Sequence, residues 1–363
     1  LRNPHFHTVA CALFRKRPHV QFYRDRLELQ DGDFVDLDWS LANQKEFGKR
    51  PQQQNQQLII LTHGMEGSSQ SKYILHTVRA ANTAGVSTVA WNMRGCSGEP
   101  NRALHFYHSG RTEDLAAVVA HALAKGFKKI WLAGFSLGGN LTLLYAAREG
   151  SKIAREIQSV AAVCAPVDLV SSQAQIEAKE NRLYLKRFLR DFHAKFNLKR
   201  EKRGHRIDTK KFNRRIRTLA QLDAHYTAPW NGFPDEKIYY QQCSSLPVLQ
   251  AIRVPALLLN PVDDPFLSRQ CYPHRFAAAS RTFTLEMPET GGHCAMLADH
   301  RFNASYMEKR LLEYFGITPK PYCPKTKNSF RHDRLRRHAI ETYEDLSRTH
   351  GSCFCRKWLA AYR

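Results

Sequence analysis

Residues 128–147 read KKIWLAGFSLGGNLTLLYAA: an apolar run enters a glycine, presents one serine and leaves through two more glycines. The first eight residues have the length and apolar content of a strand buried on both faces, and the remainder carries apolar residues at helical spacing. Between them, Gly134-Phe135-Ser136-Leu137-Gly138 matches G-x-S-x-G, in which a serine stands on a sharp turn from strand to helix. Such a turn holds the serine in an unfavourable backbone conformation and brings helix and strand against its neighbours, so those neighbours must be small. Ser136 is therefore the candidate nucleophile. A turn whose serine only caps the helix is the alternative, and it leaves Gly134 unexplained.

The flanking sequence repeats the same alternation. LIILTH (58–63), VSTVAWNMRG (86–95) and IQSVAAVCAPVD (157–168) read as buried strands. SKYILHTVRAANTAG (71–85) and TEDLAAVVAHALAKG (112–126) read as helices, the second with acids in its first turn and a glycine stop. Strand–helix alternation implies a parallel sheet covered by helices on both faces. Upstream, VQFYRDRLELQDGDFVDLDWS (20–40) holds two alternating runs around Asp31-Gly32, a hairpin signal. GKRPQQQNQQ (48–57) reads as a polar loop.

After Asp168 the alternation stops. Residues 171–245 are helical, basic and aromatic, and the rhythm returns with VPALLLNPVDD (254–264), a helix over 268–280, RTFTLEMPETGGH (281–293) and a last amphipathic helix over 298–316. The expected organisation is a first part of an α/β core with an N-terminal hairpin (1–170) and a helical lid insertion (171–245). The second part of the core (246–316) and a basic C-terminal extension (317–363), with a short helix near 334–348, complete it.

Composition narrows the functional classes. Of 363 residues 43% are hydrophobic, enough for a packed interior, and no run approaches the ~18 apolar residues of a membrane span. TVACALF near the start is too short for a signal-peptide core, and the basic cluster RKRPH follows it rather than preceding it. Nine cysteines without metal-ligand spacing, Cys353 and Cys355 included, read as free thiols in a reducing, cytoplasmic setting with no zinc site. The formal charge of +22 is uneven, with 17 Lys and Arg against 8 Asp and Glu in residues 171–245. That charge suits an anionic lipid surface or an acidic substrate; nucleic-acid binding has no motif behind it.

A serine is a poor nucleophile without a base, so the elbow predicts a downstream acid and then a histidine. NPVDDPF ends a buried strand in Asp263-Asp264, and GGHC puts His293 after two glycines. Asp264, directly before Pro265 and further into the loop, is preferred over Asp263, with Asp168 a third candidate. His293 is preferred over His300, which has no glycines to give it a loop apex. The amide of Leu137 and that of Met65, in THGMEGSS, are the expected oxyanion donors, and His63 is expected to brace that loop. This chemistry needs neither metal nor organic cofactor.

THGMEGSS, NMRGCSGEPNR, YHSGRTEDL, GFSLGGN, YYQQCSSLPVL, NPVDDPF and GGH occur in this order. Together they resemble the YheT-like hydrolases, relatives of the α/β-hydrolase-domain lipases and esterases, over about residues 4–316. The resemblance implies an α/β-hydrolase fold, carboxylester hydrolysis and a triad of Ser136, Asp264 and His293. Arg94, in RGCSG, is expected to hold a carboxylate in the loops, while Asp114 and His108 are candidates for supporting the site or for helix capping. Two departures stand out: Glu289-Thr290 precedes Gly291 where relatives often carry a histidine, and the tail from about 318 has no counterpart. The expected activity is hydrolysis of acyl esters or lipid-like substrates, with peripheral contact with an anionic membrane. The same triad would serve an acyltransferase or thioesterase, and a basic lipid-binding scaffold without turnover is the reading from another class.

Overall fold

Among the described residues eight strands form one sheet in the order β1-β2-β4-β3-β5-β6-β7-β8. They are β1 (Tyr23–Glu28), β2 (Phe34–Ser40), β3 (Gln57–Thr62), β4 (Ser87–Asn92), β5 (Lys129–Phe135), β6 (Ile157–Val163), β7 (Ala256–Leu259) and β8 (Phe283–Glu286). Strands β1 and β2 pair antiparallel, β2 runs antiparallel to β4, and every other pair is parallel. The computed structural model describes residues 3–42, 56–204, 216–296 and 305–318. Most of the 48–57 loop, His300, the start of the 298–316 helix and the tail from residue 319 on, with its 334–348 helix, lie outside the described residues. The described residues fall within one compact unit, Leu1–Pro319.

The central strands are buried on both faces, and their side chains alternate between two cores. Leu58, Ile60, Val89, Trp91, Ile130 and Leu132 enter one, with Leu115 and Val118 of α3 (Thr112–Ala124) and Leu141 of α4 (Leu137–Glu149). Ile59, Leu61, Ala90, Trp131 and Ala133 enter the other, with Ile74 and Val78 of α2 (Lys72–Thr83). The continuous apolar runs of the sequence thus reflect a strand period of two with a helical layer on each side. The β1–β2 turn follows the Asp-Gly signal, with Gly32 at φ +79°. Arg94 clamps this hairpin to the core: its guanidinium meets Asp114 at 2.7 Å, Asp31 at 2.6 Å and Asp33 at 3.1 Å. Asp114 is thus an ion-pair partner.

Between β6 and β7 the described residues are mostly helical. They comprise α5 (Leu169–Glu177), α6 (Arg182–Arg203), a short run from Leu219 to Trp230 with a π-helical turn at Asp223–Thr227, and α7 (Glu236–Cys243). The single helix expected over 268–280 is instead a 3₁₀ turn, Arg269–Cys271, and α8 (His274–Ala279). Pro273 separates them, as a residue without an N–H that disfavours helix before it does. The last helix, α9, is Tyr306–Tyr314, capped by Ser305 Oγ accepting from the Met307 N–H at 3.2 Å.

One element absent from the sequence reading is α1 (Pro4–Phe14). Its start is signalled, however: Asn3 caps the amides of His5 and Phe6, and proline takes the first helical position. A buried bidentate pair, Arg15 with Glu308 of α9 at 2.8 and 3.0 Å, fixes its far end.

Candidate active site

The strand-to-helix turn after β5 holds Ser136 at φ +54°, ψ −125°. A side chain could not replace the glycines around it. A Cβ at Gly134 would lie 2.1 Å from the Gly138 carbonyl oxygen. One at Gly138 would lie 2.3 Å from the His63 carbonyl oxygen and 2.5 Å from that of Thr62. The strain at Ser136 is over-determined by helix α4 on one side and the end of β3 on the other.

The loop after β3 approaches the elbow just as closely, since a Cβ at Gly64 would meet Ser136 Cβ at 2.9 Å. His63 braces this loop: Nδ1–H donates to the Gly64 carbonyl at 2.7 Å and Nε2 accepts from the Met93 N–H at 3.0 Å. Burial holds its pKa down at about 4, so it stays neutral and exchanges no proton near pH 7. The Gly64 N–H is taken by the Tyr73 hydroxyl at 2.9 Å. Among the described residues no group engages the amides of Met65 or Leu137. Met65, Ser136 and Leu137 all line one cavity.

The loops after β7 and β8 bring an acid to a histidine. His293 Nδ1 lies 2.8 Å from Asp264 Oδ2 and 3.0 Å from Oδ1, and the Asp264 side chain is fully buried while that of His293 is 12% exposed. The Phe266 N–H also donates to Asp264 Oδ1, at 2.9 Å, and the Phe266 ring packs 4.5 Å from the imidazole. Burial alone disfavours the imidazolium, but the Asp264 carboxylate outweighs it and raises the His293 pKa to about 9. Asp263 does something else: its Oδ1 accepts the Gly292 N–H at 2.9 Å and shapes the histidine loop. Asp168 stands at the start of α5, with Ser171 Oγ donating to it at 2.5 Å, and is not joined to the imidazole. Among the described residues no hydrogen bond links Ser136 Oγ to His293, a contact that is often long in unliganded sites.

Three groups that sequence reasoning missed shape this region. Thr8 of α1 accepts the His293 N–H on Oγ1 at 2.9 Å, so the N-terminal helix holds the histidine loop. Lys195 of α6 donates to Glu66 Oε1 at 2.6 Å, directly beside Met65, and Tyr107 donates to the same oxygen at 2.7 Å. Asp223, in the π-helical turn, lines the cavity among Phe192, Phe196, Tyr226, Trp230 and Tyr240. Burial raises its pKa to about 6, and the Tyr240 hydroxyl donates to it at 2.7 Å. Spacing gives no hint of these partners, which lie 285, 129 and 17 residues apart. Only the cap at Asn3 was a readable signal.

A doubly wound sheet carrying a G-x-S-x-G elbow and an acid–histidine pair on its late strand ends defines a hydrolase of the α/β class. The model of the Alpha/beta hydrolase family matches residues 59–305, and the chain belongs to that family. Within it, the chain is 34% identical over 301 residues to YheT of Escherichia coli (strain K12), covering 81% of this chain and 84% of that one. It is 26% identical over 296 residues to Phospholipase ABHD3 of Homo sapiens, covering 80% and 70%. Among solved structures, the Pyrococcus furiosus esterase Pf2001 superposes with a TM-score of 0.52 at 14% identity, over 84% of this chain and 99% of that one. That likeness concerns the fold. The sequence relatives agree with a YheT-like hydrolase of the esterase and lipase class.

Proposed function

We propose that this chain is a serine esterase that cleaves carboxylic esters of lipid-like substrates through an acyl-enzyme on Ser136. His293 Nε2 takes the Ser136 proton as the oxygen attacks the ester carbonyl. The amides of Leu137 and Met65 hold the oxyanion, each such donor being worth roughly 3–4 kcal/mol in the transition state. The imidazolium, stabilised by Asp264, then protonates the leaving alcohol, and His293 activates water for deacylation. No step calls on a metal or organic cofactor.

The observation that carries this reading is the pairing of one buried carboxylate with one imidazole nitrogen at 2.8 Å. It fixes the tautomer and leaves Nε2 as the proton acceptor. The aromatic cavity beside Ser136 favours an acyl chain, and the human relative, a phospholipase, points the same way. In this reading the helices of 171–245 act as a lid whose positive charge favours an anionic lipid surface.

A fluorophosphonate probe tests the nucleophile: it should label the wild type and fail on Ser136→Ala. Labelling that survives the substitution removes Ser136 from the mechanism. Hydrolysis of p-nitrophenyl esters of graded chain length should rise with chain length until the cavity is filled. A flat profile would reject a lipid-like acyl group.

A further inference from the structure

Cys164 and Cys294 are 130 residues apart in sequence but adjacent in the fold, and both flank the histidine loop. Cys164 directly follows β6 at φ +51°, fully buried, and Cys294 follows His293 at φ +55°, half-buried. Their sulfurs and a ring nitrogen of His293 all lie within 4.8 Å of one another. The Cys294 N–H donates to Cys164 Sγ at 3.1 Å. Two sulfurs and an imidazole are the donor set that zinc favours, with Zn–S of about 2.3 Å and Zn–N of about 2.0 Å around a tetrahedron.

The surroundings suit a metal as well as the donors do. An amide N–H directed at a sulfur offsets negative charge on a thiolate. Imidazole ligands of zinc usually donate their other ring N–H to a carboxylate, which fixes the tautomer. His293 already does so with Asp264, at 2.8 Å. Three protein donors leave a fourth corner for water.

We propose that Cys164, Cys294 and His293 form a binding site for a thiophilic divalent cation, zinc, and that its occupation switches hydrolysis off. Binding displaces the two thiol protons, together with the proton that His293 carries when it is an imidazolium, and leaves two thiolates and a neutral imidazole on the ion, so it tightens as pH rises. The metal then occupies the lone pair that His293 would use to accept the Ser136 proton. The inhibitory consequence rests on the function proposed above; the binding does not.

Cobalt(II) is the probe. The full chain, reduced and freed of chelator, should give a thiolate-to-cobalt charge-transfer band in the near ultraviolet at one equivalent, bleached by zinc. The band should remain when Cys323, Cys353 and Cys355 are replaced by serine, and vanish in Cys164→Ser/Cys294→Ser. Cys294→Ser alone, at the half-buried position, serves if the double variant does not fold. In unmodified protein, zinc should also protect Cys294 from alkylation, read by mass spectrometry. One equivalent of zinc should lower ester hydrolysis about 100-fold, the scale of a lost general base, with recovery on chelation. Absence of the band, or its persistence without both thiols, overturns the site. A band that depends on both thiols while hydrolysis is untouched by zinc leaves the site standing and overturns His293 as the base.

Discussion

Lys195 on the inserted helix α6 reaches Glu66, the residue after Met65, at 2.6 Å, with both side chains nearly excluded from solvent (10% and 7% exposed). Glu66 sits at φ +53°, and its amide donates to the Tyr107 hydroxyl at 2.9 Å. The Lys195 ammonium lies 4.9 Å from the Tyr107 ring centre and 3.2 Å from Cys96 Sγ. The segment between β6 and β7 therefore fastens the loop that carries a proposed oxyanion donor. Lys195→Met leaves a buried carboxylate without its cation, a loss of about 3–5 kcal/mol for such pairs. The melting temperature should drop, and kcat should fall more than KM rises. Lys195→Met/Glu66→Gln should recover part of the stability; a double variant no more stable than Lys195→Met would break the pairing argument.

The glycine contacts predict a sharp contrast between the elbow and the turn that precedes β5. Gly138→Ala drives a methyl into two backbone carbonyls of the β3 end, which cannot rotate away. It should destabilise the fold by about 1–3 kcal/mol or more and abolish probe labelling. Gly126→Ala, where a Cβ meets nothing within 4 Å but φ is +93°, should lower stability through backbone strain and leave labelling intact. Equal loss of labelling in both would contradict the argument.

The Asp264–His293 pair sets a pH dependence. Only neutral His293 can accept a proton, and its raised pKa of about 9 moves the rise in activity to more alkaline pH than free imidazole gives. Because the folded pKa lies above the unfolded one, the pair stabilises the fold fully below about pH 6.5, and that contribution fades as pH climbs through about 9. Asp264→Asn should shift the activity midpoint downward and lower kcat by several orders of magnitude. Asp263→Asn should leave the midpoint in place, since its carboxylate holds a backbone amide and not the ring. A shift in the Asp263 variant alone would exchange the two assignments.

Asp223 carries the opposite sign. Burial raises its pKa from 3.8 to about 6, so the fold disfavours its charged form. Stability should decline as pH rises from about 3.8 to about 6 and stay level above that. Asp223→Asn, still able to accept from Tyr240, should raise the melting temperature at pH 8 and make no difference below pH 4. A variant that melts lower at pH 8 would show that the carboxylate is stabilising.

Much of this was legible because it is written locally. The apolar runs of β3 to β7, the Asp31-Gly32 turn, and the glycines at 134 and 138 each follow from adjacent residues. What escaped was set by contact across the chain. TVACALF is too short an apolar run to stand out, and α1 is fixed by Thr8 under the His293 amide and Arg15 on Glu308. Between the neighbouring carboxylates the sequence gives only a preference for Asp264, which stands before Pro265; the direction of the loop after β7 turns Asp264 to the ring and Asp263 to a backbone amide. The break at Pro273 was readable, since proline is a poor interior helix residue, yet the apolar spacing on either side obscured it.

The cavity draws its walls from two sources. Ser136, Leu137 and Met65 belong to the ends of β5 and β3, while Phe192, Tyr226, Trp230 and Tyr240 come from the segment spliced between β6 and β7. Variation in that segment can redraw the outline of what is admitted and leave the bond-breaking geometry untouched. The tether from Lys195 to Glu66 limits this freedom, because any redesign that shifts α6 also tugs on the sheet-borne half.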